Sequence, residues 1–504
     1  MRGNIVKIIP QPRAVSYEED KTISPSKFIL IQCSLDNIVQ NDFLQFSERF
    51  CKNGAGECLI NFVTDVSLAD EEYIINTDNE ITVKSNSYNG ELYALQTLKQ
   101  IIFQYGGKIP KLTVCDSPCK KIRGFMLDVG RYFFSVEDVK TIIRRMALHK
   151  LNLFHFHLTE DQGWRIEIEK YPRLTSKGSV RKKTNFNYKK HGGFYTKSEI
   201  RDIVDYAHKF GISVMPEFDI PGHSRAAIAC YKELSCFERE LPVADHWGVK
   251  HDVLCAGKES TYSFVEDIID EFCELFPDEY FHIGGDEVPK HRWSLCPHCQ
   301  QKIKELGLKD EEALQCYFMN RVKNYLKSKG RQVFMWSWEL EDASLLDNDL
   351  GFTKCGELDT GDRPFIDTST KAYYIDLPYG YISLDDTAEH KLFDGNCLGA
   401  EVTLWSEYVP NMKKADLMTY PRLAGMAETA WHGKCSKESI AEKLEYYYSF
   451  LDANGIGYSK RTIANPDTFR GKLQVLFFER RQLAWEGLTN IIDDKCVERL
   501  AKNK

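Results

Sequence analysis

From Arg123 onward, short apolar runs alternate with polar loops and amphipathic stretches. The runs are Gly124–Asp128, Leu151–Leu158, Ile212–Phe218, Tyr280–Ile283, Gln332–Trp336, Gly351–Cys355, Ala372–Leu377 and Leu398–Leu404. Each is the length of a strand, and such continuous apolar runs belong to strands buried on both faces of a parallel sheet. Between them, Val139, Ile142, Ile143 and Met146 share one helical face, as do Ile200, Ile203, Val204 and Ala207. Ser135-x-x-Asp138 and Thr196-x-x-Glu199 predict capping boxes at the starts of these helices. Gly211 and Gly330 fall where helices end in a left-handed residue. Eight strand–helix units predict an α/β fold, a (β/α)8 TIM barrel. The helices after strands five to seven are weakly signalled, which predicts a distorted barrel.

Before the barrel, Phe28–Ile31 reads as a strand, and Glu72–Ile75 with Ile81–Val83 reads as a hairpin. Leu92, Leu95, Leu98 and Ile101 or Ile102 then share a helical face. The predicted organisation is a small α+β N-terminal domain over 1–118, a catalytic barrel over 119–458 and a helical C-terminal extension over 459–504. A helix is expected over Lys437–Leu451, just before that extension.

Composition narrows the function classes. With 504 residues, 43% hydrophobic and 28% charged, the chain buries a large core. A net charge of −8 without a basic run argues against a nucleic-acid partner. No apolar segment is long enough to cross a bilayer, so no membrane partner is expected. The first twenty residues hold no apolar core of signal-peptide length. With sixteen cysteines scattered along the chain, this leads to an expectation of reduced thiols in a cytoplasmic protein. The barrel rim and the C-terminal helices offer a surface for a homodimer.

Phe281-His282-Ile283-Gly284-Gly285-Asp286-Glu287 is the chemical centre. A buried run ends in two glycines, which allow close backbone approach, and then in adjacent carboxylates. Neighbouring carboxylates repel and take different protonation states, as an acid and a separate charged helper require. The remaining unusual residues also follow strand ends: Asp128 to Arg131, His157 to Trp164, Asp219 to Ser224, Trp336 and Trp338, Tyr374 and Asp376, and Trp405 to Glu407. Acids, an arginine and indoles converging on one barrel mouth suit a sugar, whose C–H faces stack on rings and whose hydroxyls pair with charged groups.

On these motifs the chain resembles glycoside hydrolase family 20, the β-N-acetylhexosaminidases, over roughly residues 5 to 455. The motifs are DVGR at 128–131, HLTEDQGW at 157–164, DIPGHS at 219–224, HIGGDE at 282–287 and LWSE at 404–407. The resemblance implies a retaining, substrate-assisted mechanism acting on terminal β-linked GlcNAc or GalNAc, with no cofactor and no metal. It implies Glu287 as general acid, with a raised pKa. Asp286 would hold the acetamido N–H, Tyr374 would donate to the acetamido oxygen, and His223 with Glu160 would relay to the acid. Arg131, Asp376 and Glu407 would grip ring hydroxyls, and Trp336 and Trp405 would enclose the acetamido group and the sugar face. The chain departs from the family in two places. Glu160 stands where Asp is common, and Phe352-Thr353-Lys354-Cys355 lacks the usual further Trp after strand six.

Three other readings compete. Cys296-Pro297-His298-Cys299 is a single CxxC without a second pair to complete a familiar spacing, so structural thiols are expected over a metal or redox pair. His155-x-His157 on a strand has the spacing of a metal-ligand pair, yet the other ligands are not evident. A glycan-binding protein without catalysis would be free to lose Asp286, Glu287 and Tyr374, and all three are present.

Overall fold

The computed structural model describes residues 6–185, 187–340, 343–482 and 494–501. Eight parallel strands close into a barrel: Ile122–Asp128, Leu153–His157, Ser213–Glu217, Tyr280–His282, Gln332–Trp336, Gly351–Lys354, Phe365–Asp367 and Cys397–Leu404. Strand eight pairs with strand one from Gly399↔Ile122 to Leu404↔Leu127, which closes the ring. Strand seven corrects the sequence expectation. Phe365-Ile366-Asp367 is too short to show a pattern, but it pairs with strands six and eight. The longer apolar stretch Ala372–Leu377 lies beyond it, and Tyr374 bridges Thr403 of strand eight.

The capping boxes at Ser135 and Thr196 are both formed, on helices Val136–Leu148 and Lys197–Lys209. Gly211 and Gly330 follow their helices at φ of +67° and +78°. Among the described residues no helix joins strands five and six or six and seven, which accounts for the weak signal there.

The barrel interior is layered. At its N-terminal end Ile122, Leu153, Met215, Tyr280, Phe334 and Ile366 form an apolar plug. Above it the inward positions turn polar with His155, His157, Glu217, His282, Trp336 and Glu401, all buried. Alternate residues of a strand share a face, so His155 and His157 both point inward.

A six-stranded sheet precedes the barrel, ordered Ala14–Ile23, Ile109–Asp116, Tyr73–Thr77, Ile81–Ser85, Glu57–Thr64 and Lys27–Ile31. The hairpin foreseen at Glu72–Val83 is its centre. Helix Tyr88–Gln104 is buried along nearly its whole length, between this sheet and the barrel. Polar contacts weld the junction at the barrel's N-terminal end. Lys150 Nζ lies 2.8 Å from Asp116 Oδ2, Tyr73 and Trp431 donate to the same carboxylate, and Arg123 pairs with Glu71 at 2.6 Å.

At the other end of the chain Lys437–Ala453 is helical, as expected, and helices Arg461–Ala464 and Thr468–Gln482 follow. Of the expected extension, residues 483–493 and 502–504 lie outside the described residues, as do residues 1–5 of the segment read for a leader. No helix among the described residues is long and apolar enough to cross a membrane.

Candidate active site

The C-terminal ends of the strands surround a cavity of about 280 Å³. Arg131, Asp286, Glu287, Tyr374, Asp376, Trp405 and Glu407, all singled out from the sequence, line it. His223 and Glu160 stand behind this lining and contact it. Residues from six strand ends thus meet at one mouth.

The backbone of the central motif explains its glycines. Gly284 has φ +64°, and a Cβ there would lie 1.7 Å from Asp219 Oδ1. Gly285 has φ +96°, and its Cβ would meet the methyl groups of Met319 and Met335 at 2.8 Å. Glu287 itself adopts φ +46°, and His223 adopts +45°, a region that residues with a Cβ rarely enter. Both side chains are therefore aimed by strained backbone.

The loop after strand one is held by Asp128. One of its oxygens accepts from the Gly130 and Arg131 amides, and the other from the Ser406 amide and hydroxyl. That ties strand ends one and eight together. Gly130 passes so close to Glu160 that a Cβ would sit 2.4 Å from the Glu160 Cβ. Arg131 consequently reaches Glu160 Oε2 at 2.9 Å and Glu407 Oε1 at 3.7 Å, with its guanidinium 5.0 Å from the Trp405 ring.

A chain of charges runs to the adjacent carboxylates. His223 Nδ1 bonds Glu160 Oε1 at 2.7 Å, while its Nε2 lies 3.5 Å from Glu287 and 3.8 Å from Asp286. Burial pushes the Glu160 carboxyl upward, but Arg131 and His223 outweigh it and hold it well below the usual range. Burial disfavours charge on His223, yet Glu160 overcomes it and keeps the imidazole protonated well above the ordinary histidine range. Glu160 does reach His223, so the longer side chain keeps the relay connected.

The adjacent pair divides its protonation in the opposite sense to the expectation. Burial pushes Asp286 up to about 7, with the Glu287 charge adding to it. Glu287 is also raised by burial, but its contact with cationic His223 wins and its pKa is lowered. These opposite directions favour the pair's proton on Asp286 over Glu287. The cause is positional, since the imidazole edge lies nearer to Glu287.

Several polar atoms here have no hydrogen-bond partner among the described residues although they are buried: Asp286 Oδ1, Asp376 Oδ1 and Trp405 Nε1. Burial, with Glu407 nearby, raises Asp376 well above its usual range. Tyr374 is kept a neutral phenol by burial, and its hydroxyl lies 3.4 Å from Cys355 Sγ. Cys355 thus fills the place after strand six where a tryptophan was missing.

Trp336 corrects the expectation. It is 1% exposed and lies beneath the pocket, its Nε1 donating to Glu217 at 2.6 Å and its ring 5.3 Å from Trp405. Trp338, two residues on, lines the cavity instead. Thr370, Leu377, Tyr408 and Phe478 also line it without having been singled out. Phe478 comes from helix Thr468–Gln482 and packs on Tyr408 at 4.9 Å. Tyr408 follows a motif directly, whereas nothing in the pattern of the C-terminal helix marks Phe478.

His155 and His157 form part of the interior ion-pair network. Glu217 lies 3.0 Å from His155 and 2.5 Å from His157, while the other ring nitrogens face Glu401 and Glu160. Both imidazoles are engaged by carboxylates on both sides.

Comparison with known proteins gives consistent findings. Residues 121–383 and 365–434 match "Glycosyl hydrolase family 20, catalytic domain", and residues 6–117 match "Glycosyl hydrolase family 20, domain 2". A beta-hexosaminidase of Porphyromonas gingivalis is 38% identical over 485 residues, covering 88% of this chain and 61% of that protein. A beta-hexosaminidase of Vibrio furnissii is 34% identical over 406 residues, covering 72% of this chain and 66% of that protein. The chain thus spans somewhat under two thirds of the length of both relatives. Among solved structures, an exo beta-N-acetylglucosaminidase of Vibrio harveyi, in complex with N-acetylglucosamine, aligns at a TM-score of 0.79 with 26% identity. That alignment covers 91% of this chain and 79% of the other.

Proposed function

The chain belongs to glycosyl hydrolase family 20, and from that premise we propose that it is a β-N-acetylhexosaminidase. It removes terminal non-reducing β-linked GlcNAc or GalNAc with retention, using the substrate's own acetamido group as nucleophile. The relatives named beta-hexosaminidase support the reaction class. A cavity of about 280 Å³ lies at the small end of ligand pockets and suits a single hexosamine. The observation that carries the mechanism is the pairing of Glu287 with a buried neighbour, Asp286, whose Oδ1 has no protein partner. An acetamido N–H supplies the missing donor, and unlike a plain hydroxyl the same group carries the carbonyl oxygen that can attack C1.

The steps follow from the charges. Asp286 Oδ1 accepts from the acetamido N–H, which favours the ionised form of that carboxyl. The proton that burial favours on Asp286 then belongs on Glu287, as expected for two groups that titrate as one pair. Tyr374 donates to the acetamido oxygen and aligns it with C1. That oxygen attacks C1 as Glu287 gives its proton to the departing glycosidic oxygen, leaving an oxazolinium ion. The Asp286 carboxylate stabilises its positive charge. Glu287, now a base, takes a proton from water, which opens the oxazoline at C1 and restores the configuration. His223, held by Glu160, modulates the proton affinity of Glu287 without touching the sugar. Arg131, Asp376 and Glu407 bind hydroxyls, Trp405 stacks on the ring from above Trp336, and Trp338, Tyr408 and Phe478 flank the leaving group.

The test is hydrolysis of aryl β-GlcNAc and β-GalNAc substrates beside an aryl β-glucoside, for the wild type and Glu287→Gln. Cleavage of the acetamido sugars alone, severely reduced in the variant, is expected. Comparable cleavage of the glucoside would require a nucleophile from the protein and end this reading.

A further inference from the structure

Four cysteines that the hydrolytic chemistry leaves unused meet in one place. Cys236, Cys255, Cys296 and Cys299 are all buried, and their sulfurs all lie within 4.8 Å of one another. The recorded separations are 3.9 Å for Cys236–Cys299, 3.7 Å for Cys255–Cys296 and 3.6 Å for Cys255–Cys299. A disulfide requires about 2.05 Å, so these are four thiols and not two bridges. A tetrahedron with a metal–sulfur bond of about 2.3 Å has edges of about 3.8 Å, which is the spacing found here. Iron–sulfur clusters set their ligands farther apart, because several irons and sulfides lie between the cysteines. The arrangement fits one ion.

The sequence reading met only the Cys296-x-x-Cys299 half. The other half, Cys236 and Cys255, is separated by a long loop and cannot be paired by spacing. Both halves have the local form of ligand turns. Cys296 precedes helix Pro297–Leu306, with Pro297 at its first position, so Cys299 sits in the first turn, where the helix dipole favours a thiolate. Gly257 lies against that turn so closely that a Cβ would be 2.3 Å from the His298 carbonyl carbon. The Cys255 amide is tied to the Leu234 carbonyl at 2.8 Å, close to Cys236.

We infer that these residues form a structural zinc site of four thiolates, built into the rim of the active site. Cys236 and Cys255 belong to the segment after strand three, near whose start His223 lies. Cys296 and Cys299 belong to the segment after strand four, near whose start Asp286 and Glu287 lie. One ion therefore clips together the two loops whose juxtaposition makes the relay. The path is short. Leu254, beside Cys255, donates its amide to the Pro221 carbonyl at 3.0 Å and accepts from Trp293 Nε1 at 2.9 Å. Gly222 in turn packs against the Asp286 carbonyl, which its Cβ would meet at 2.9 Å. All four ligand positions are filled by protein, so the ion has no open coordination for catalysis.

The experiment measures metal in the full chain, purified without chelator from zinc-supplemented medium, by elemental mass spectrometry and X-ray absorption. Expected are about one zinc per chain and four sulfurs at about 2.3 Å. The double variant Cys296→Ser/Cys299→Ser should lose the zinc and melt at a lower temperature, whereas Cys33→Ser, in the N-terminal domain, should keep both. If the double variant does not fold, the wild-type zinc content and sulfur shell decide alone. Metal-free wild type that takes up no Zn²⁺, stoichiometric iron in place of zinc, zinc retained by the double variant, or native disulfides among these cysteines would each overturn the inference. None of these outcomes depends on the glycosidase reading.

Discussion

The two ends of the barrel bury charge in opposite ways. At the N-terminal end Lys150, Asp116, Arg123 and Glu71 are partnered within the protein, with Tyr73, Tyr93 and Trp431 completing the set. At the C-terminal end Asp286, Asp376 and Trp405 each bury a polar atom without a hydrogen-bond partner among the described residues. A buried polar atom without a partner costs about 1–3 kcal/mol, so a folded protein retains several in one pocket only where something else satisfies them. The satisfied end holds two domains together. The unsatisfied end awaits a ligand whose donors and acceptors complement it.

This contrast can be broken from either side. The largest expected effect is at the mouth: Glu287→Gln should reduce kcat for an aryl β-GlcNAc by about 10²–10⁴-fold, the usual share of general acid–base catalysis, with the melting temperature nearly unchanged. At the opposite end Asp116→Ala should leave Lys150 buried and unpaired and cost about 3–5 kcal/mol in denaturant unfolding. Its kcat per folded molecule should stay at the wild-type value. If the two variants exchanged phenotypes, the division between the ends would be wrong.

Titration sharpens the comparison. Asp286 has a folded pKa pushed up to about 7 by burial, above its unfolded value of about 3.9. A raised pKa means that the folded state holds the proton more tightly. That contribution to stability is fully present below about pH 4 and is lost as pH rises toward about 7. The melting temperature of Asp286→Asn should therefore gain on the wild type across that window. In the proposed mechanism acid catalysis needs the one proton shared by the pair, so kcat/KM should fall on the alkaline side as it is lost. A flat difference in melting temperature from pH 4 to 7 would remove Asp286 as the proton holder. The smallest effect is at the rim. Phe478→Ala should raise KM for aryl glycosides several-fold, on the order of 1 kcal/mol for a lost aromatic contact, and leave kcat alone.

Much of this was legible in the sequence. Seven of the eight strands, both capping boxes and the strand-end motifs are local patterns, and local patterns survive into the fold. Strand seven was not legible, because Phe365–Asp367 is shorter than any period it could display and Ala372–Leu377 is a better apolar run. Trp336 was placed on the lining by the family resemblance, and its neighbour two residues on, Trp338, shares its strand face. Only the packing under Trp405 separates Trp336 from Trp338. Adjacency gave Asp286 and Glu287 different protonation, but which of them favours the proton depends on where His223, from the neighbouring strand end, lands. Phe478 and the Cys236–Cys255 half of the thiol cluster are assembled only by tertiary contacts.

The most direct test of the central claim, that the unpartnered Asp286 oxygen at the mouth is reserved for a cyclising acetamido group, is calorimetric binding of GlcNAc-thiazoline. This is the stable sulfur analogue of the bicyclic intermediate, and it would be compared with GlcNAc on the wild type and on Asp286→Asn. The account predicts that the wild type binds the bicyclic compound at least 10²-fold more tightly than GlcNAc, as a transition-state analogue should be bound, and that Asp286→Asn loses most of this preference. Equal affinity for the two ligands, or a preference unchanged in the variant, would contradict it.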